Sequence, residues 1–327
     1  MSPISVSVII PAYNASATIG QTLEALSRQI YPDPIEVIVV DDGSLDTTKD
    51  VVTSFPTVRY VRQNNAGPAS ARNCGASLAQ GEYLVFTDSD CIPHEDWISE
   101  LMKGFVRQEV GVVAGSYGIA NRASILARCV YKEILWRHVH LMPDYPNAFG
   151  SYNFCVKKSV FEAVGGFNTA YRHASGEDND LSYKIRKSWR IFFNRKALVD
   201  HYHPTQIFRY LKEQFRHGFW RVKMYNDHPT MMAGDGYTFW KDMIELPLGV
   251  WWLVASCFCF TVLNKIFLLA WGLFLLFEMI WAFVMTSALF EGIFFGSVMF
   301  VRAFARLFGF STGFLAYFVK KMLKIFE

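Results

Sequence analysis

Short, unbroken apolar runs alternate with amphipathic stretches through the first part of the chain. Val6 to Ile10 is a continuous apolar run closed by Pro11, the pattern of a strand buried on both faces. From Ser16 to Ile30, Ile19, Leu23, Leu26 and Ile30 recur at four-three-four spacing and mark one face of a helix. Ile35 to Val40 reads as a second buried strand, ending at Asp41-Asp42-Gly43-Ser44. A helix is expected from Asp46 to Phe55 and a strand from Val58 to Val61. Pro68 then opens a helix that Gly81 is expected to close, and Tyr83 to Thr87 forms a strand ending at Asp88-Ser89-Asp90. Strands apolar on both faces and alternating with helices predict an α/β fold with a mostly parallel, helix-covered sheet. Such sheets bind ligands beyond the carboxyl ends of their strands, so the polar clusters there are the first candidates for chemistry.

The pattern changes in the last third. Hydrophobic residues make up 52% of the 327 positions and aromatics 16%, and the excess is concentrated beyond about Tyr237. The expected division is a globular domain over 1–205, juxtamembrane amphipathic helices over 206–242 and a membrane region over 243–327. Within that region, 246–263 and 266–290 are expected to span, joined by Asn264-Lys265, and 292–327 to form interfacial helices. Arg302 and Arg306 share one helical face, which favours the interface over the bilayer centre. Glu278 reads either as an ion-pair partner for one of them or as a functional intramembrane carboxylate. Gln206 to Tyr225 interleaves Phe208, Phe215, Phe219 and Trp220 with Arg209, Lys212, Arg216 and Arg221. That suits a helix on a membrane surface, and equally a last helix packed on the globular domain.

A net charge of +3 gives no basis for nucleic-acid binding. The scattered cysteines make no zinc pattern. With an N-terminus lacking a signal-peptide pattern, they suggest a reducing compartment and a globular domain in the cytosol, at the inner membrane. The Lys320-Lys321 tail favours the same side. Bundles of this kind often bury polar groups against neighbours, so a homo-oligomer is an open possibility.

Two acidic clusters follow strands. Crowded carboxylates repel one another unless a cation is shared. Asp88-Ser89-Asp90 offers hard oxygens to Mn²⁺ or Mg²⁺, which bind phosphate oxygens as well. The competing reading is that Asp88 and Asp90 cap the helix after Pro93, and that Asp42 caps the helix near Asp46.

The runs Val8-Ile9-Ile10-Pro11-Ala12-Tyr13-Asn14, Val40-Asp41-Asp42-Gly43-Ser44, Asn73-Cys74-Gly75 and Thr87-Asp88-Ser89-Asp90 resemble the family 2 glycosyltransferases. So do Val164-Gly165-Gly166-Phe167-Asn168 and Gly176-Glu177-Asp178, giving a likeness across roughly residues 5–225. The resemblance implies a GT-A fold, a UDP- or GDP-linked sugar donor, a divalent cation (Mn²⁺ or Mg²⁺) and inversion at the anomeric carbon. Position by position it implies Tyr13 against the nucleobase and Asp42 on its edge, with Pro11 and Ala12 among the nucleotide-sugar contacts and Asp41 less defined. Asp88 would contact the ribose or the metal, Ser89 the nucleotide-sugar and Asp90 the metal, and Asp178 would be the general base with Glu177 assisting. His201, in Val199-Asp200-His201, is implied as a metal or diphosphate contact, with an ordinary surface or core histidine as the alternative. Arg72 and Arg216 are candidate phosphate partners by their guanidinium chemistry; solvated or lipid-facing roles suit them too. Asp178 has its own rival reading as a helix N-cap. The acceptor is expected to be lipid-linked or otherwise held at the membrane, with Gly115 to Phe149 forming part of its wall. A nucleotidyltransferase on a similar sheet and a non-catalytic scaffold are the competing functions.

Overall fold

The apolar run at the head of the chain becomes β1 (Val6–Ala12), buried along almost its whole length because a parallel neighbour lies on each side. The computed structural model describes residues 5–171, 176–233 and 263–323. The expected 246–263 span therefore lies almost wholly outside the described residues.

The strands are β1, β2 (Ile35–Asp41), β3 (Val58–Arg62), β4 (Tyr83–Thr87), β5 (Cys91–Pro93), β6 (Val110–Ile119), β7 (Asn153–Lys157) and β8 (Arg190–His201). The helices are α1 (Ile19–Ser27), α2 (Thr48–Thr53), α3 (Pro68–Leu78), α4 (Trp97–Lys103), α5 (Ile125–His140), α6 (Lys158–Ala163), α7 (Glu177–Ile185) and α8 (Ile207–Asp227). Two more follow among the described residues, α9 (Leu263–Thr286) and α10 (Leu289–Leu323). Two units emerge: residues 1–120 with 142–202, and residues 121–141 with 203–327.

In the first unit one sheet runs β3-β2-β1-β4-β7-β6-β8-β5. It is parallel from β3 to β4, as expected, but β7 is antiparallel to both β4 and β6, and β5 is antiparallel to β8. The sheet is thus mixed. Chain order reverses direction between β1 and β4, the switch point at which α/β sheets leave a crevice. Val8, Ile10, Val39 and Val85 form a continuous core with Ile19 and Leu23 of α1.

Glycines set two close approaches. A Cβ on Gly75 would stand 2.4 Å from Ile9 Cγ2, so the glycine lets α3 lie directly on β1. Gly81 does not close α3, which ends at Leu78 with Ala79 in extended conformation. Its role is steric instead: a Cβ there would meet the Ser7 backbone nitrogen at 2.7 Å.

The second unit gathers α5, α8, α9 and α10 around Leu126, Cys129, Tyr210, Ala282, Phe295 and Met299. The apolar stretch expected to run on to Phe290 breaks earlier, at Ser287, whose φ is 54°. Beyond it the expected series of interfacial pieces is one continuous helix of 35 residues. Within the described residues α9 and α10 each contain a segment long and apolar enough to cross a membrane, Leu269–Thr286 and Leu289–Val319. The arginines that argued for the interface are used inside the protein. Arg302 donates to Glu133 Oε2 at 2.6 Å and to Tyr210 Oη at 3.0 Å, and Arg306 donates to Gln214 Oε1 at 2.8 Å. A charge satisfied by protein groups does not have to seek a headgroup. Glycine again sets the packing, since a Cβ on Gly296 would lie 2.5 Å from Met279 Cα and one on Gly309 would lie 2.0 Å from the Phe215 carbonyl oxygen. Gly292-x-x-x-Gly296 and Gly309-x-x-x-Gly313 are the small-residue spacing that lets helix backbones approach.

Candidate active site

Three strand ends bring the acidic clusters together. Tyr13 follows β1 and is half exposed, with Pro11 and the buried Ala12 in the strand behind it. Asp41 ends β2 and Asp42 follows it, and Asp88, Ser89 and Asp90 follow β4. β2 and β4 flank β1, so all three clusters share one edge.

Asp41 and Asp42 are consumed by the fold. Asp41 Oδ1 accepts from the Ser44 N–H at 2.7 Å and its Oδ2 from the Tyr60 hydroxyl at 2.6 Å. Burial works to raise its pKa, but Tyr60, Ser44 and Arg62 outweigh that and hold it below the ordinary carboxylate value. Asp42 does not cap α2, whose first turn follows Thr47. Its carboxylate accepts from Gln63 Nε2 (2.7 Å), Ala66 N (2.8 Å) and Gly67 N (2.8 Å), fixing the loop that leads into α3.

The second cluster is bound differently. Neither Asp88 nor Asp90 caps a helix: α4 begins after Asp96. Asp88 accepts from Arg72 at 2.7 Å, and the Ser89 carbonyl accepts from the Thr22 hydroxyl at 3.2 Å. Asp90 lies 3.4 Å from His201 Nε2. The cause is β5, a three-residue strand that pairs Cys91 with His201 and delivers the end of β8 to the aspartates. Ligand atoms of Asp90, Cys91 and His201 all lie within 4.8 Å of one another. A carboxylate beside an imidazole suits a divalent cation. Cys91 is fully buried in the core and burial pushes its thiol pKa well up, so it is a poorer donor. His203, two residues further on, is buried in the second unit and pairs through its backbone with Asn121. Arg216 lies on α8, also in the second unit.

Glu177 and Asp178 open α7. The N-cap is Gly176, whose φ of 108° is left-handed, so Asp178 is a first-turn residue rather than the cap. Glu177 is buried and accepts from Arg72 Nη1 at 3.1 Å. Asp178 Oδ1 accepts from the Asn179 N–H at 2.9 Å, and among the described residues it has no ion-pair partner. Burial, then the adjacent Glu177 carboxylate, push Asp178 up to about 7, against the pull of the Asn179 N–H and Arg72. Arg72 itself was expected on a phosphate. It is only 2% exposed, with separate nitrogens on Asp88 and Glu177.

The same geometry explains the motif Asn73-Cys74-Gly75. The Asn73 side chain both donates to and accepts from the Phe167 backbone, at 2.8 and 2.9 Å, locking the turn in which Gly165 and Gly166 have φ of 76° and 66°. Sequence reasoning missed Asn153 altogether. Buried, it accepts from Trp97 Nε1 and donates to the carbonyls of Ser116 and Ala197, joining β6, β7 and β8. The expected acceptor wall, Gly115 to Phe149, is also redistributed: Tyr117 belongs to β6, while Tyr131 and Trp136 stand on α5 in the second unit.

The profile of the glycosyl transferase family 2 matches residues 7–165, the segment that carries the three strand ends. The chain carries a family 2 glycosyltransferase domain. Glycosyltransferase AglE of Haloferax volcanii is 28% identical to it over 227 residues, covering 67% of this chain and 74% of that protein. Validoxylamine A glucosyltransferase of Streptomyces hygroscopicus subsp. limoneus is 30% identical, over 57% of this chain and 51% of that one. The chain therefore spans only about half of some of the relatives that its glycosyltransferase domain matches. Among solved structures, the mannosyltransferase PcManGT from Pyrobaculum calidifontis, in complex with GDP-Man and Mn²⁺, superposes with a TM-score of 0.59 at 20% identity. That alignment covers 94% of this chain and 89% of PcManGT. The likeness establishes a GT-A-like fold.

Proposed function

We propose that this protein transfers a sugar from a UDP- or GDP-linked donor, with inversion, to a lipid-linked or otherwise membrane-held acceptor, in glycan or glycolipid assembly. The observation that carries the reading is Asp178: a half-buried carboxylate without a cation partner among the described residues, with its pKa raised to about 7. A general base works best when its pKa lies near the working pH.

In this reading Tyr13, exposed beyond β1, offers a ring to the nucleobase, with Pro11 and Ala12 behind it. Asp42, with Asp41 behind it, shapes the wall beside that ring through the loop it holds. Asp90 and His201, with Asp88 and Ser89 beside them, would hold Mn²⁺ or Mg²⁺. Such a cation, when bound, would neutralise charge on the departing diphosphate. Asp178 takes the proton of the acceptor hydroxyl as that oxygen attacks the anomeric carbon from the face opposite the diphosphate. The bond from the anomeric carbon to the diphosphate oxygen breaks, and the nucleoside diphosphate leaves with the electron pair. Glu177 supports Asp178 from the neighbouring position.

The acceptor proposal comes from covalent tethering: the domain is followed by α9 and α10, both apolar enough to cross a bilayer. The same reading places the enzyme at the membrane, with its site on the cytosolic side. The test is a panel of UDP- and GDP-sugars, GDP-mannose included because the neighbour PcManGT holds it. The full chain would be incubated with Mn²⁺ and membrane lipids, with nucleoside diphosphate release and product anomeric configuration measured by NMR. A product of retained configuration, or pyrophosphate in place of nucleoside diphosphate, would overturn the reading.

A further inference from the structure

Three segments far apart in sequence meet at one guanidinium. Arg72, early in α3, reaches Asp88 beyond β4 at 2.7 Å and Glu177 at the head of α7 at 3.1 Å. We propose that Arg72 is a positioning residue that holds the Glu177-Asp178 pair in register with the Asp88-Asp90 strand end, rather than a ligand for the donor. This rests on the reading of Asp178 as the base.

α7 opens without a side-chain cap. Its N-cap is a glycine with no side chain to cap the first turn, and that turn carries Glu177, Asp178 and Asp180. Acids there complement the helix dipole but repel one another. Among the described residues two cations divide them: Lys184 takes Asp180 at 2.6 Å and Arg72 takes Glu177. Asp178 is the one that no cation of the described residues takes. The distribution of cations thus selects which acid stays available for a proton.

A guanidinium is needed because two nitrogens of a rigid fork serve two carboxylates at once, which a single ammonium cannot reproduce. The fork is also held in place. It lies 5.4 Å from the centre of the Phe167 ring, and the Phe167 backbone is bonded on both sides to Asn73, the residue after Arg72. To reach a phosphate, Arg72 would have to leave both carboxylates and a buried position. Burial disfavours its charge, while Asp88 and then Glu177 more than offset that and keep it cationic.

The test uses the full chain with Arg72→Lys and Glu177→Gln, singly and combined. It measures kcat, donor KM, nucleoside diphosphate binding by calorimetry in Mn²⁺, and melting temperature. Misplacing a base by an ångström can cost about 10²-fold, so each single variant is expected to lose roughly that in kcat. Donor KM and nucleotide affinity should stay within about threefold, since uniform donor binding is untouched. The double variant should be no worse than the weaker single one, because both remove the same link. A raised donor KM or lost nucleotide binding in Arg72→Lys with kcat kept would overturn the proposal and make Arg72 a donor ligand. Losses that multiply in the double variant would overturn it too. Where Arg72→Lys fails to fold, Glu177→Gln carries the test: reduced kcat with intact nucleotide binding supports positioning, and wild-type kcat refutes it. Asp178→Asn at the wild-type rate would sink the base assignment, an outcome separate from these.

Discussion

Asp41-Asp42 and Asp88-Ser89-Asp90 stand at the carboxyl ends of two parallel strands that flank β1, and in sequence they look interchangeable. Their surroundings differ. The first pair is almost inaccessible, and its oxygens are taken by Ser44, Tyr60, Gln63, Ala66 and Gly67. Of the second, Asp90 is 40% exposed and faces an imidazole, and Asp88 is 31% exposed. Hydrogen bonds from within the fold, joined at Asp41 by the Arg62 guanidinium 3.8 Å away, occupy these buried carboxylates. Carboxylates left open to solvent and to one another invite a cation. One cluster builds the wall and the other is open to chemistry.

The largest effect that would sharpen this contrast lies just beyond it, at Asp178. Replacement with Asn removes the only proton acceptor proposed for the reaction, and turnover is expected to fall about 10³-fold, within the span of general-base contributions. Nucleoside diphosphate release measures it, and nucleotide binding should persist. Asp90→Ala is expected to cost about 10²-fold or more in turnover. It should also abolish Mn²⁺ binding followed by electron paramagnetic resonance, while the melting temperature barely moves. Binding that survives in Asp90→Ala at full strength would break the contrast between the clusters.

Asp42→Ala should do the reverse. Three donors, two of them backbone N–H groups, lose their acceptor in a buried place, at a cost of about 2–4 kcal/mol in stability. Thermal melts of the full chain would show a fall of several degrees, with Mn²⁺ affinity retained. A variant melting like the wild type would mean that the loop before α3 finds other partners.

What the sequence could and could not disclose follows the same division. β1, β2 and β4 were legible because parallel strands buried on both faces must be continuous apolar runs. The aspartates at their ends were legible for that reason too. β5 was not, because three residues carry no period, and its value lies in pairing Cys91 with the distant His201. The partners of Asp42 are backbone groups, which leave no trace in side-chain pattern. Arg72 read as a phosphate ligand because nothing local announces Glu177 as its partner. In the second unit, Arg302 and Arg306 argued for a membrane interface only while Glu133, Tyr210 and Gln214 could not be seen to lie beside them.

The smallest effect is a pH dependence that locates Asp178 between the two behaviours. In the unfolded chain its carboxyl should ionise near the ordinary 3.8, whereas the fold raises it to about 7. Below the unfolded value both states are protonated and the group contributes its full share to stability. As pH rises from there through about 7 the folded state holds a proton that the unfolded state has lost, so stability declines across that window and then levels. Asp178→Asn cannot ionise. Its melting temperature relative to wild type should therefore climb between about pH 4 and pH 7 and stay flat beyond. The acid limb of kcat/KM in the wild type should fall in the upper part of that range, because only the ionised carboxylate accepts the acceptor's proton. If the melting difference stayed constant with pH while the acid limb remained, the titrating base would have to be a different group. A proposed base that destabilises its own fold when charged is what sets Asp178 apart from Asp41, whose fold holds it ionised.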